Sequence, residues 1–379
     1  MTMRLLSAAA ICFTCANAFA ADVRFVRVGA ENVAAVAPSA SALVHTAQML
    51  TVDESGTVFL TGLDAFLKQA GSDASRVVKL NVVAATQEIA DAARSAIAKR
   101  YPPESHPPVT YVVGALPKGQ RMGIDAVALS TSRTGLNDSA ARTLPAGPRV
   151  YVSGQAEKGA APAEAAAKTL AGLMRTLEWL GSRPTDVVQL KCFLSPMSAA
   201  PEVIAEIEKV FGARNVPFVF VEWKSDLPIE IELIAAAAPG PANGPAIEYL
   251  TPPGMKASPV FARVVRINRG DVVYTAGLYS RQPGSGEQQV LSIFEQLQDV
   301  LKQSGSDLKH LAKATYFVSD DDASGKLNEI RPKFYDPARP PAASKAMVPG
   351  VGMKDRSIAI DMIGVVVPTA TATAPVQAR

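Results

Sequence analysis

"GSDLKHLAKATYFV", running from Gly305 to Val318, reads as the stop of a helix followed by a strand, and two near copies precede it. "GSDASRVVKLNVV" starts at Gly71 and "GSRPTDVVQLKCF" at Gly181. The three align without a gap, with Gly-Ser fixed and an apolar pair six residues after each glycine. Their starts lie 110 and 124 residues apart. That is the scale of whole small domains, not of the roughly 20–50-residue units that stack into solenoids.

The residues before each glycine agree with the repeat. Leu60, Leu63 and Leu67 lead into the first copy, Leu170, Leu173 and Leu177 into the second, and Phe294, Leu297 and Leu301 into the third. Intervals of three and four residues put each trio on one stripe of a helix. The glycine then falls where a helix needs a left-handed residue to stop. After each glycine come a strand, a second helix ("TQEIADAARSAIAKRY", "APEVIAEIEKVF", "GKLNEIRPKFY"), a proline with a short apolar run, and an alternating strand ("RMGIDAVAL", "PIEIELIAAA", "RSIAIDMIGVV"). Ahead of the second and third copies a hairpin-like pair ends in "VYVSGQ" and "VVYTAGL"; "LVHTAQML" fills this place in the first. The order predicts α+β units with helices over one face of a sheet.

Composition sets outer bounds. A chain of 379 residues with 48% hydrophobic and 19% charged content is globular and long enough for two or three domains. A formal charge of +3, with Lys and Arg scattered among acids, gives no nucleic-acid stripe. "MTMRLLSAAAICFTCANAFA" has Arg4 ahead of an apolar run and ends Ala18-Phe19-Ala20, the pattern of an export signal cut near Ala21. The expectation is an exported protein, periplasmic or secreted, with no membrane attachment after cleavage. Cys12 and Cys15 fall inside that signal, so the mature chain keeps only Cys192, read as a small buried hydrophobe. "TSRTGLNDSAARTLPAGPR" from Thr131 and "APGPANGPA" from Ala238 read as linkers. The predicted division is a signal at 1–20, repeats at 22–132, 148–238 and 246–367, and a disordered tail at 368–379.

Histidines occur only at 45, 106 and 310, without H-E-x-x-H, so no metal is expected; phosphate-loop, dinucleotide and G-x-S-x-G signatures are absent too. No cofactor is expected.

"VYVSGQ" from Val150, the helix ending "LEWLGSRPTDVVQLKCFL" and "IEIELIAA" from Ile229 resemble the RidA family, also called YjgF, and the third repeat is similar through "VVYTAGLYS", "LNEIRPKFY", "PPAASKAMV" and "IAIDMIGVV". The first repeat diverges most. The resemblance implies a chorismate-mutase-like fold and a family that is usually homotrimeric, with a ligand cleft at each subunit boundary. Three fused copies then imply a single-chain pseudo-trimer, monomeric as a whole.

In the family's deaminase branch an arginine in "PARS" binds the substrate carboxylate and a final-strand acid orients water. Here the arginine places align with Val109, Val219 and Ala343, and the acid with Asp125, Glu232 and Asp361. Ligand-binding positions carried over from the resemblance are Ser153, Gly154, Gln155, Thr275, Gly277 and Asn328. Lys345, two residues after Ala343, is either a replacement anchor or a solvated lysine. The acids are either general bases with raised pKa or structural hydrogen-bond acceptors. Two functions stay open: a small-molecule binder at the inter-repeat clefts without the usual imine deaminase activity, and an imine or enamine deaminase-type hydrolase with an altered substrate.

Overall fold

All three repeat glycines sit in the left-handed region that stops a helix, with φ of 64° at Gly71, 71° at Gly181 and 83° at Gly305. These and the following features come from a computed structural model describing residues 22–28, 31–132, 135–212, 216–241 and 243–367. The expected signal at 1–20 and tail at 368–379 lie outside the described residues.

The chain runs through β1 (Arg24–Val28), β2 (Glu31–Ala37), β3 (Ala42–Thr46), β4 (Met49–Thr51), α1 (Thr57–Gln69), β5 (Val77–Ala84), α2 (Gln87–Arg100), β6 (Val109–Val113) and β7 (Met122–Ser130). It continues through β8 (Ala141–Leu144), β9 (Arg149–Gln155), α3 (Pro162–Trp179), β10 (Val187–Leu194), α4 (Ala200–Phe211), β11 (Phe218–Glu222) and β12 (Ile229–Ala236). Last come β13 (Ile247–Leu250), β14 (Val264–Ile267), β15 (Asp271–Thr275), α5 (Gly286–Ser304), β16 (Leu311–Val318), α6 (Asp321–Ile330), β17 (Ala342–Met347) and β18 (Ile358–Val366). Three of the helices, α2, α5 and α6, start where a side chain caps them: Thr86 accepts from the Ile89 amide, Ser285 forms a capping box with Gln288, and Asp320 accepts from the Ala323 amide.

Three sheets result, with strand orders β6-β5-β7-β3-β8, β11-β10-β12-β9-β14-β13 and β17-β16-β18-β15-β2-β1. In each, one parallel pair (β5/β6, β10/β11, β16/β17) stands at an edge and the other pairings are antiparallel. The leucine stripes are buried against the helix-covered faces of their own sheets. The opposite faces meet in shared clusters to which all three sheets contribute, one holding Leu43, Tyr151 and Tyr274 and another Val83, Phe193 and Phe317.

Two sequence expectations are corrected. The strands ahead of the second and third copies are not hairpins. β8 leaves its neighbour β9 to pair with β3, β14 leaves β15 to pair with β9, and β2 leaves β3 to pair with β15. Each sheet thus takes its leading strands from another repeat, and the exchange closes on itself around the three. An exchanged strand makes the same antiparallel bonds as a folded-back one, so strand sequence alone does not distinguish the partners. The stretch from Thr131 is also more than a linker, since it contains β8.

Candidate functional site

Because each sheet repeats one register, equivalent positions can be compared directly. Eight residues after the repeat glycines stand Lys79, Gln189 and Lys313; ten residues after stand Asn81, Lys191 and Thr315. The latter three lie opposite Asp125, Glu232 and Asp361 on the final strands. All these side chains point to where the three sheets meet, and every acid faces a neighbouring repeat. Lys79 Nζ lies 3.0 Å from Asp361 and Thr110 Oγ1 donates to the same carboxylate at 2.9 Å. Lys313 Nζ lies 2.7 Å from Glu232 and Ser344 Oγ donates to it at 2.7 Å. At the third boundary Gln189 and Val219 occupy the lysine and hydroxyl places, and Asp125 receives Asn81 Nδ2 at 2.8 Å from its own sheet.

The protonation chemistry follows. Burial alone pushes Glu232 and Asp361 up, but Lys313 and Lys191 around the first and Lys79 and Lys191 around the second outweigh it and hold both below the usual carboxylate range. Asp125 stays raised, because burial dominates there over Lys191 and the Asn81 hydrogen bond. An acid held ionised by buried lysines is a poor proton acceptor. Glu232 and Asp361 therefore fit the structural alternative for these acids, not the general-base one.

The acid with the chemistry expected of a base is Glu230, two residues earlier on β12 and not anticipated from the sequence. Burial and the nearby Glu232 charge raise it, against hydrogen bonding from Ser344 and the charge of Lys313, to about 7. Its Oε1 is sealed from solvent and has no hydrogen-bond partner. It packs over Gly154, where any Cβ would overlap the carboxylate. This is the close approach for which the "SGQ" glycine is needed. Gly123 and Ala359 take the place of Glu230 in the other two sheets. The signal was available in "IEIE", which offers two acids on one strand face, but nothing local says which of them faces the lysines.

Ser153 sits in a register shift between β9 and β12, donates to the Ala262 carbonyl at 2.5 Å and accepts from the Ala343 amide at 2.7 Å. It thereby ties the second repeat to β17 of the third. On β17, Lys345 Nζ reaches Ser324 Oγ at 3.0 Å and Asn328 Oδ1 at 3.4 Å on α6. Burial and the Arg331 charge lower its pKa. Ser153 and Ala343 thus meet at one boundary, where Ser344 reaches Glu232 and where Glu230, packed over Gly154, is the added member, while Lys345 and Asn328 pair with each other on the α6 side of β17.

Other positions fall elsewhere. Gln155 donates to Thr176 on α3 at 3.0 Å. Thr275 is in register with Thr46 and Val152, not with Ser153, and its hydroxyl accepts from the Met362 amide at 3.0 Å. Gly277 packs beside Thr110 at the boundary of the third and first repeats. The parallel registers Leu80↔Val109, Leu190↔Phe218 and Ala314↔Ala343 make Phe218, not Val219, the equivalent of the arginine place; Val219 is one residue on, level with Thr110 and Ser344. The corrected places still hold no arginine. Cys192 is fully buried and its thiol is pushed up by burial, as a hydrophobe's would be. Among the described residues no group of His, Cys, Asp and Glu is arranged to hold a metal, and no helix is long and apolar enough to cross a membrane.

The boundaries diverge in polarity. Between the first and second repeats the Gln48 amide is committed to the Phe220 backbone, donating at 3.0 Å and accepting at 3.2 Å, beside a cavity of about 310 Å³ lined by Leu50, Ile204, Val216 and Phe218. Between the third and first, Tyr279 donates to the Tyr111 carbonyl at 3.3 Å and Arg94 to the Gly352 carbonyl at 2.5 Å.

Residues 255–366 match the family model described as Endoribonuclease L-PSP. No curated protein matches the chain. Among solved structures, a YjgF-family protein from Neisseria meningitidis aligns at 18% identity and TM-score 0.25 over 32% of this chain and 97% of its own. The Rid-family protein YyfB from Yersinia pestis aligns at 18% and TM-score 0.30 over 32% and 98%. E. coli TdcF with bound serine aligns at 22% and TM-score 0.23 over 25% and 80%. The chain's third repeat is thus similar to the Endoribonuclease L-PSP family, the region carrying Asn328, Ala343 and Lys345.

Proposed function

We propose that this is an exported, single-chain pseudo-trimer of three Rid-type repeats that binds a small polar molecule at the boundary between its second and third repeats. The observation that supports the reading is the contact there of Ser153 with the Ala343 amide and of Ser344 with Glu232, beside Glu230 packed over Gly154; Lys345 and Asn328 pair on the α6 side of the same strand β17. Fusion makes association of the repeats intramolecular and independent of concentration. It also frees each boundary to diverge, so that one keeps polar chemistry while another becomes apolar. Neither nucleic acid nor membrane is a partner in this reading.

The family's deaminase reaction on an anionic imino acid is not the favoured activity. Val109, Phe218 and Ala343 offer no guanidinium, and a buried carboxylate without its partner costs on the order of 3–5 kcal/mol. The second reading, hydrolysis of a C=N bond in an altered substrate, is favoured by Glu230, since an acid near pKa 7 can take and return a proton at neutral pH.

A thermal-shift screen of small carboxylates, imino acids and neutral amides, combined with an ammonia-release assay, separates the two. Binding without turnover, weakened by Glu230→Gln and Lys345→Ala, is the expected result. Ammonia release that disappears in Glu230→Gln would establish the hydrolase instead. If no compound shifts the melt, or the shifts survive both substitutions, the site is misplaced.

A further inference from the structure

Where the three sheets meet, a chamber of about 40 Å³ is lined by polar groups that include Lys79, Lys313, Glu232 and Asp361; the His45 ring and the Tyr274 hydroxyl there have no hydrogen-bond partner, and Lys191 is only loosely paired. His45 is completely buried and neither ring nitrogen has a hydrogen-bond partner. Lys191, partly buried with its side chain 12% exposed, has Glu232 Oε1 at 3.7 Å, beyond hydrogen-bond length, and that oxygen already receives Lys313 at 2.7 Å. A buried polar group left unpaired is costly, and a polar cavity with several partners is where a small species resides.

Charge selects the species. Lys79, Lys191 and Lys313 face Asp125, Glu232 and Asp361, which would balance. Arg149, only 2% exposed, adds a fourth cation just behind His45 and Tyr274. Its guanidinium donates to the Gly147 carbonyl at 3.2 Å, and no carboxylate pairs with it among the described residues. Glu230 lies by Gly154 and does not line the chamber. An uncompensated buried cation is offset by an anion, and the volume admits a halide or about two waters but no carboxylate metabolite.

We infer that this chamber binds a small monovalent anion of halide size, held between the Lys191 ammonium and one N–H of His45. The site belongs to the meeting of the three repeats: His45 comes from the first, Lys191 from the second, Thr315 and Asp361 from the third. It exists only in the assembled fold, so halide binding stabilises that fold.

The test uses the mature chain at matched ionic strength. In sodium bromide or chloride the melting temperature is expected to exceed that in sodium gluconate by about 2–6 °C. Crystals grown in bromide should show an anomalous peak between Lys191 and His45. Lys191→Thr, which copies Thr315, should abolish the halide difference, and His45→Tyr, which copies Tyr151 and Tyr274, should reduce it. Glu230→Gln should leave it intact, separating this site from the ligand boundary. Equal melts in all three salts, bromide peaks confined to the surface, or a halide difference that survives Lys191→Thr would overturn the inference. Should Lys191→Thr not fold, the anomalous peak in the unsubstituted protein decides alone.

Discussion

The boundary between the second and third repeats and that between the first and second use the same backbone positions to opposite ends. At the former, glycine on one strand (Gly154) makes room for an acid on the next (Glu230). At the latter, the strand that offers the side chain is reversed, and Gln48 fills the space over Gly123. A few ångströms away the contrast repeats. Glu232 receives Lys313 and Ser344 from its neighbour, whereas Asp125 faces Gln189 and Val219. One boundary therefore holds a carboxylate kept ionised by a lysine at hydrogen-bond distance beside one with a raised pKa, and the other holds a carboxylate whose supporting charges and amide hydrogen bonds do not outweigh its burial. The divergence lies in single side chains on an unchanged frame.

The largest effect that can break this comparison is removal of Glu232. Glu232→Leu leaves Lys313 buried without its acid, with the partly buried Lys191 beside it, and is expected to cost about 3–5 kcal/mol in denaturant unfolding. Asp125→Asn, which strands no lysine at hydrogen-bond distance, should cost far less. Equal losses would erase the distinction between the boundaries.

Next is pH. A folded-state pKa of about 7 for Glu230, above its unfolded value, means the native protein binds the extra proton. Stability from this group is complete below about pH 4.5 and declines as pH rises to about 7. Glu232 and Asp361 have the opposite sign, since their depressed pKa values give stability that is lost as pH falls through the acid range. Glu230→Gln should remove the neutral-range decline and stabilise the fold at pH 8 by on the order of 2–3 kcal/mol, read as unfolding midpoints across pH 4–8. An unchanged profile would place the proton elsewhere.

A gain-of-function change sharpens the comparison further. Val219→Thr should give the Asp125 carboxylate the hydroxyl that Thr110 and Ser344 supply to its counterparts, adding about 1 kcal/mol of stability. A loss would mean that the space around Asp125 differs from its equivalents. Smallest is the exposed Arg121–Glu54 pair at 2.7 Å, where Glu54→Ala should change stability by less than about 1 kcal/mol.

Much of the frame was legible because it is written in periodicity. The Leu60, Leu170 and Phe294 stripes and the three left-handed glycines all follow from spacing and glycine geometry, whereas the parallel pairing of the strand after each second helix does not. Ser153 and Ala343, which meet across two repeats, were both named from the repeated order of elements. Two things were not. Strand partners were hidden because β2, β8 and β14 make equivalent bonds with any of three similar neighbours. The roles within "IEIE" were hidden because both acids point to one face, and only the lysines of other repeats decide which is held ionised.

The closed exchange of leading strands also governs how the chain can be made and cut. β2 ends at Ala37, yet its partner β15 begins only at Asp271, so this early strand waits for the third repeat before its open edge is covered. Such distant pairing forms late and slowly. No single repeat excised from the gene carries all the strands of its own sheet, so a fragment ending after the second repeat would present β2 as a bare, sticky edge.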